Sequence, residues 1–183
     1  MQSRPRWSSL SKTADVCRRE YPVPGVLSLR SLAVAVADAS AMARVLSDPS
    51  LYRFTGGEPP SVDALTRQYT AQVRGCSPDG RAAWINRVVL VDEGPVGYVQ
   101  ATVPMDDDVA EIAWVIGRPW QGLGYAKRAA ELLVEELTGR GVHRLVAMIR
   151  PDHVASQRIA AHLGMRDSSE MVDGEIRWTG TVG

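Results

Sequence analysis

The residues whose types and spacing suit chemistry lie in one short stretch. Ile116-Gly117-Arg118-Pro119-Trp120-Gln121-Gly122-Leu123-Gly124-Tyr125-Ala126 joins the end of an apolar run to the start of a long helical pattern. Glycines at 122 and 124 let the backbone turn and let a ligand come close to the main chain. The first turn of the following helix offers N–H groups that have no intrahelical acceptor and carry a partial positive charge. Together these suit an anion such as a pyrophosphate. A nucleotide P-loop ends in Gly-Lys-Ser/Thr, whereas this segment reads Gly-Tyr-Ala, and a dinucleotide fingerprint needs three spaced glycines and a later acid. Taken alone, the segment also fits a plain strand-to-helix turn.

A loop of this kind needs a strand before it and a helix after it, and the periodicity supplies both. Residues 109–116 alternate, with Ile112, Trp114 and Ile116 on one face. Residues 125–140 carry the helical stripe Ala126, Ala129, Ala130, Leu133 and Leu137, and Gly139 and Gly141 mark its end. Residues 144–149 are an apolar strand of the kind buried on both faces. Upstream, the pattern predicts a short strand over 26–32 and helices over 38–46 and 61–74. Ser61 caps the second helix, and Leu65, Tyr69 and Val73 stripe it. Strands over 84–91 and 97–103 follow, turning at Asp92-Glu93-Gly94. Downstream come a helix over 154–163 and a hairpin of 166–172 with 175–181 across Asp173-Gly174. The order is β, α, α, β, β, β, α, β, α, β, β. It describes a mixed α/β domain with a three-strand meander before one β-α-β crossover, expected to be right-handed. Residues 1–24, rich in Ser and Arg and ending in Tyr21-Pro22-Val23-Pro24, read as a partly irregular extension, and 25–183 as a single domain.

Composition narrows the function. The chain has 183 residues, 45% hydrophobic and 23% charged, which suits a soluble globular protein with a sizeable core. Lys plus Arg equals Asp plus Glu at 21 each. A basic nucleic-acid binder and a polybasic membrane-surface protein are therefore not expected. No apolar run reaches the ~18 residues of a membrane span, and the first ten residues lack the apolar core of a secretory signal. Cys17 and Cys76 stand far apart, as reduced cytoplasmic thiols do, and three histidines without clustered spacing predict no metal site.

Two motifs together carry a family resemblance. Gln121-Gly122-Leu123-Gly124-Tyr125-Ala126 is similar to the Gln/Arg-x-x-Gly-x-Gly/Ala signature of the GNAT acetyltransferases. The stretch from His153 through Ser156 to Leu163-Gly164-Met165 resembles their second motif, Asn-x-x-Ser…Leu-Gly-Phe, in the right order and spacing. Glu111 to Ile116 looks like the preceding strand of the RimJ/RimL-like branch. The resemblance covers roughly residues 26–181. It implies a GNAT-like mixed, mostly antiparallel central sheet with helices on both faces. It also implies acetyl-CoA as co-substrate, with its pyrophosphate on main-chain N–H groups of Gln121, Gly122, Leu123, Gly124, Tyr125 and Ala126, followed by Lys127. The pantetheine arm is expected beside Trp114, Val115 and Ile116, where that strand and 145–149 splay apart. A main-chain N–H near Val115 or Ile116 would polarise the thioester carbonyl.

The implied reaction is direct attack by a primary amine in a ternary complex. Acid–base need makes Glu111 the candidate base, directly or through water, and Ser156 the candidate donor to the leaving sulfur. The family often has a tyrosine four residues after that serine; here Ala160 stands there. The second-motif asparagine is His153, still expected beside the cofactor. Lys127-Arg128 at a helix start opposes the macrodipole unless an anion is bound. The acceptor is expected to be a small-molecule amine or a protein N-terminus. Asp106-Asp107-Asp108 is either a plain turn or an attractor of a cationic acceptor. The segment of Tyr52, Arg53 and Phe54 before Gly56-Gly57 reads as an irregular loop walling the acceptor site. A homodimer and a cytoplasmic location are expected; nucleic-acid and membrane partners are not. The alternatives are a catalytically silent acyl-CoA-binding module and a transferase of another acyl group such as succinyl.

Overall fold

A computed structural model describes residues 25–31 and 36–183. The expected extension over 1–24 lies outside the described residues. Among the described residues seven strands form one sheet: β1 (Leu27–Ser31), β2 (Ala82–Val91), β3 (Gly94–Pro104), β4 (Val109–Ile116), β5 (Arg144–Ile149), β6 (Arg166–Val172) and β7 (Glu175–Thr181). Their spatial order is β1-β2-β3-β4-β5-β7-β6. Every neighbouring pair is antiparallel except β4 and β5, which run parallel. The parallel pair must be joined by a crossover. That crossover contains the helix expected from the sequence, observed as Tyr125–Thr138.

Among the described residues five α-helices accompany the sheet: α1 (Val36–Val45), α2 (Tyr52–Thr55), α3 (Val62–Gln72), α4 (Tyr125–Thr138) and α5 (Val154–His162). α1 and α3 bury Ala39, Met42, Leu65 and Tyr69 against Val88 and Leu90 of β2. On the other face α4 buries Ala129, Leu133 and Leu137 with Ile85, Val99, Ile112 and Leu145, and Ala160 of α5 joins this core. The alternation of strand residues thus feeds two cores, even-numbered β2 positions one way and odd-numbered ones the other.

Local chemistry explains the boundaries. Ser61 accepts from the Ala64 N–H at 3.1 Å and caps α3. Asp92 and Glu93 both have positive φ, the geometry a two-residue hairpin demands, and Val91 pairs with Gly94 across them. The stripe expected along α3 ends early: Leu65 and Tyr69 are buried, whereas Val73 is 43% exposed. One expectation is corrected. Tyr52–Thr55 is a helical turn rather than an irregular loop. Asp48 caps a 3-10 turn over Pro49–Leu51 by accepting from the Ser50 N–H at 2.8 Å, and the chain continues helically until Gly56.

Candidate active site

The loop after β4 is held by its own side chains. Gln121 Nε2 donates to the Ile116 carbonyl at 2.9 Å, and Arg118 Nη1 donates to Gln121 Oε1 at 3.1 Å. The Gln121 side chain therefore serves the loop's shape, and its N–H goes to the Arg118 carbonyl at 3.3 Å. Gly117 lets the end of α1 press close: a Cβ there would lie 2.8 Å from the Val45 carbonyl oxygen.

The N–H groups of Gly122, Leu123, Gly124, Tyr125, Ala126 and Lys127 donate to no acceptor among the described residues; the next, of Arg128, reaches the Gly124 carbonyl at 3.1 Å. Gly124 sits at φ 82° and ψ −1°, the left-handed region, as the N-cap of α4. It supplies no side-chain cap, and the first turn holds no acidic residue. Lys127 is exposed and has no acidic partner among the described residues, whereas Arg128 pairs with Glu131 at 3.1 Å and Glu135 at 3.5 Å. Free amides, helix dipole and an unpaired ammonium thus make one positive patch.

β4 and β5 fork beside this patch. They pair only at Val109↔Arg144, Ala110↔Leu145 and Glu111↔Val146. Past that point β4 keeps β3 as far as Gly97↔Ile116, and β5 keeps β7 as far as Ile149↔Ile176. The facing edges are open. The Gly117 N–H donates to the Val96 carbonyl on β3 at 2.8 Å. Strand alternation then turns the Val115 and Ala113 amides toward β3, and those of Ile116 and Trp114 into the fork.

Glu111 marks the apex as the last β4 residue paired with β5. It shares the α1/α3 face with Val115 and is exposed, and its carboxylate has no hydrogen bond or ion pair among the described residues. Ser156, buried on α5, lies on the other face and accepts from Trp114 Nε1 at 3.2 Å. The fork thus has a free carboxylate on one side and a hydroxyl on the other.

His153, at the N-terminus of α5, stacks on Phe54 of α2 with ring centroids 4.0 Å apart and planes 6° apart. Burial holds its imidazole below the ordinary histidine pKa, against the opposing charge of Asp152. Arg53 Cζ lies 5.2 Å from the centre of the same phenyl ring. The acidic turn is engaged elsewhere, since Asp107 and Asp108 both bind Arg144.

A cavity of about 240 Å³ opens on the α1/α3 face, between α3, the segment after α2, and β2–β3. Gln68, Gln72, Asn86 and Gln100 line it, with Tyr69 and Tyr98. The four carboxamides do not stand out in the sequence. Their signal was polar side chains in step with the core: Asn86 with Val88 and Leu90, and Gln72 seven residues after Leu65; Gln68, three residues after Leu65, is exposed at the rim. Among the described residues no three His, Cys, Asp or Glu side chains are grouped to hold a metal ion, and no helix is long and apolar enough to cross a membrane.

Comparison with known proteins gives a match to the acetyltransferase (GNAT) domain over residues 27–166, well over half the chain. The chain belongs to the GNAT acetyltransferase family. A curated relative, the uncharacterized N-acetyltransferase YnaD of Bacillus subtilis (strain 168), is 31% identical over 81 residues. That match covers 43% of this chain and 48% of YnaD, about half the relative's length. RimJ of Mycobacterium smegmatis, solved in complex with CoA-disulfide, superposes with a TM-score of 0.69 at 21% identity, covering 86% of this chain and 83% of that one. Spermidine N-acetyltransferase of Vibrio cholerae, solved with CoA and spermine, gives 0.69 at 16% identity, over 85% and 95%. At such identities these two solved structures establish a shared fold.

Proposed function

We propose that this GNAT protein is an acetyl-CoA-dependent N-acetyltransferase acting on a primary amine by direct attack in a ternary complex. The observation that carries the reading is the run of six free N–H groups from Gly122 to Lys127 beside the open edges of β4 and β5. The first amides of any helix lack intrahelical acceptors; here the run begins three residues before the helix, in an exposed loop with no acidic or capping side chain, and this suits an anionic ligand. A pyrophosphate there directs an extended arm into the fork, where the open-edge amides of Trp114 and Ile116 meet it as a strand would.

The residues at the apex then divide the work. Glu111 takes a proton from the incoming ammonium, directly or through water, on the α1/α3 side. The amine nitrogen attacks the thioester carbonyl, an open-edge N–H of β4 supports the developing oxyanion, and the second proton left on the nitrogen by the new C–N bond passes to solvent as the carbonyl re-forms. As the C–S bond breaks, the Ser156 hydroxyl offers its hydrogen to the thiolate, which takes its final proton from solvent. Ser156 already accepts from Trp114, which leaves that hydrogen free. The strand sequence Glu111–Ile116 supports placement in the RimJ/RimL-like branch, with a small amine or a protein N-terminus as acceptor. A cytoplasmic location accords with the free thiol of Cys76.

The test is thiol release from acetyl-CoA by the purified chain with a panel of amines. Amine-dependent turnover above hydrolysis is the expected result. Binding without turnover of any amine leaves the silent acyl-CoA-binding module in its place.

A further inference from the structure

We propose that the cavity between α3 and β2–β3 selects acceptors whose amine-bearing carbon carries a neutral amide, in preference to polycations. The inference rests on the acetyltransferase reading and deepens it. Four carboxamides, from Gln68, Gln72, Asn86 and Gln100, converge on one space, and none has a side-chain partner among the described residues. Asn86 and Gln100 are direct cross-strand partners and share their face with buried Val88 and Leu90. Gln72, Asn86 and Gln100 are half-buried and Gln68 is exposed, so a ligand that displaces water from the cavity must match their donors and acceptors. The hydroxyls of Tyr69 and Tyr98 have no partner there either, and burial raises both phenols, which keeps them protonated donors.

A carboxamide offers both a donor and an acceptor, the complement of a peptide group. The charges point the same way. Glu58, on the exposed rim, is the one carboxylate among the described lining residues. Arg87 lines the wall, yet its guanidinium is turned to Glu136 on the opposite face, Nε to Oε2 at 2.9 Å. A molecule carrying several ammonium groups finds no matching set of anions, whereas a neutral body does find hydrogen-bonding partners.

The cavity also leads to the reacting end. Asn86 pairs with Gln100, and Gln100 with Ala113 of β4, so the three form one row across the sheet ending at the fork. At about 4.8 Å per strand that row is about 10 Å long, the reach of roughly three extended residues. Glu111 lies two residues along β4 from Ala113, on the same face. An amine at Glu111 therefore places the following amide groups over Gln100 and Asn86.

The test uses the full chain with acetyl-CoA and four acceptors: alaninamide, trialanine amide, spermidine and an aminoglycoside. The amides are expected to show kcat/KM about tenfold or more above the polycations. A higher value for trialanine amide than for alaninamide identifies a chain end as acceptor, and equal values identify a small amide; both support the inference. Gln100→Leu should lower kcat/KM for the preferred amide about tenfold and leave the spermidine rate and the calorimetric acetyl-CoA affinity within about twofold. Gln100→Glu should raise the spermidine rate. Preference for a polycation, or equal losses for both classes in Gln100→Leu, overturns the inference while the acetyltransferase reading stands. Failure of acetyl-CoA to bind removes that reading and the inference with it.

Discussion

The indole N–H of Trp114 reaches from β4 to the hydroxyl of Ser156 on α5, 3.2 Å away. The bond spans the face of the fork opposite Glu111, where the two strands no longer hold each other. It fixes the Ser156 oxygen as an acceptor and leaves its hydrogen to point elsewhere. Removing either partner therefore has different consequences.

Ser156→Ala deletes the donor proposed for the sulfur and strands the indole N–H, at a cost of about 1–3 kcal/mol in stability. Trp114→Phe removes the indole N–H, together with part of the ring that packs on the main core, and frees the hydroxyl. We expect Ser156→Ala to lower kcat about tenfold or more, with the KM for acetyl-CoA within about twofold. Trp114→Phe should keep kcat within about threefold. Steady-state kinetics on both variants, with melting temperatures alongside, decides the matter. Equal loss of kcat in the two would reduce Ser156 to a structural partner of Trp114.

Glu111→Gln preserves size and the strand, and removes the carboxylate. Its turnover with the preferred amine should fall about 100-fold. The acidic limb of its kcat/KM profile should flatten, while acetyl-CoA affinity by calorimetry stays unchanged. An unaltered pH profile in the variant would assign the proton to another group.

His153 is held neutral by burial, so its folded pKa lies below its unfolded one. The unfolded chain therefore binds more protons over the window just below about pH 6.5, and stability falls as pH drops through it. The melting temperature should decline on acidification through that window, and the decline should be smaller in His153→Asn. Parallel curves for the two proteins would remove His153 from the account. The same substitution loses the stack on Phe54, so a lower plateau at neutral pH is expected as well.

Much of this was legible in the residues themselves. The bounds of β4 follow from alternation, those of β5 from an unbroken apolar run, and those of β6 and β7 from the Asp173-Gly174 turn, while Ser61 and Gly124 announce the starts of α3 and α4. The anion loop was readable because its glycines, its free helix start and Lys127 lie within six residues of one another. α2 was not: one helical turn has too few hydrogen bonds to leave a period, and its stability comes from the capped turn before it. The Phe54–His153 stack joins residues 99 positions apart, and the Trp114–Ser156 bond joins residues 42 apart. Neither has a local signature, because one depends on how the sheet places α2 against the start of α5 and the other on how α5 lies over β4. The carboxamide cavity draws on α3, β2 and β3 at once, so each Gln or Asn looked like an ordinary polar residue in its own segment. Gln121 was legible as a motif residue, but its part in shaping the loop depends on where the Ile116 carbonyl points.

The central claim is that the free amides after Gln121 hold a diphosphate. Gly124 tests it, because it lies at φ 82° and a Cβ there would meet nothing within 4 Å. Asn and Asp both tolerate that backbone and differ only in charge. In calorimetric titration with acetyl-CoA, the native chain and Gly124→Asn should bind within about fivefold of each other, and Gly124→Asp about 100-fold or more weaker. Equal affinity of the Asp and Asn variants, or no binding by the native chain, would contradict the account.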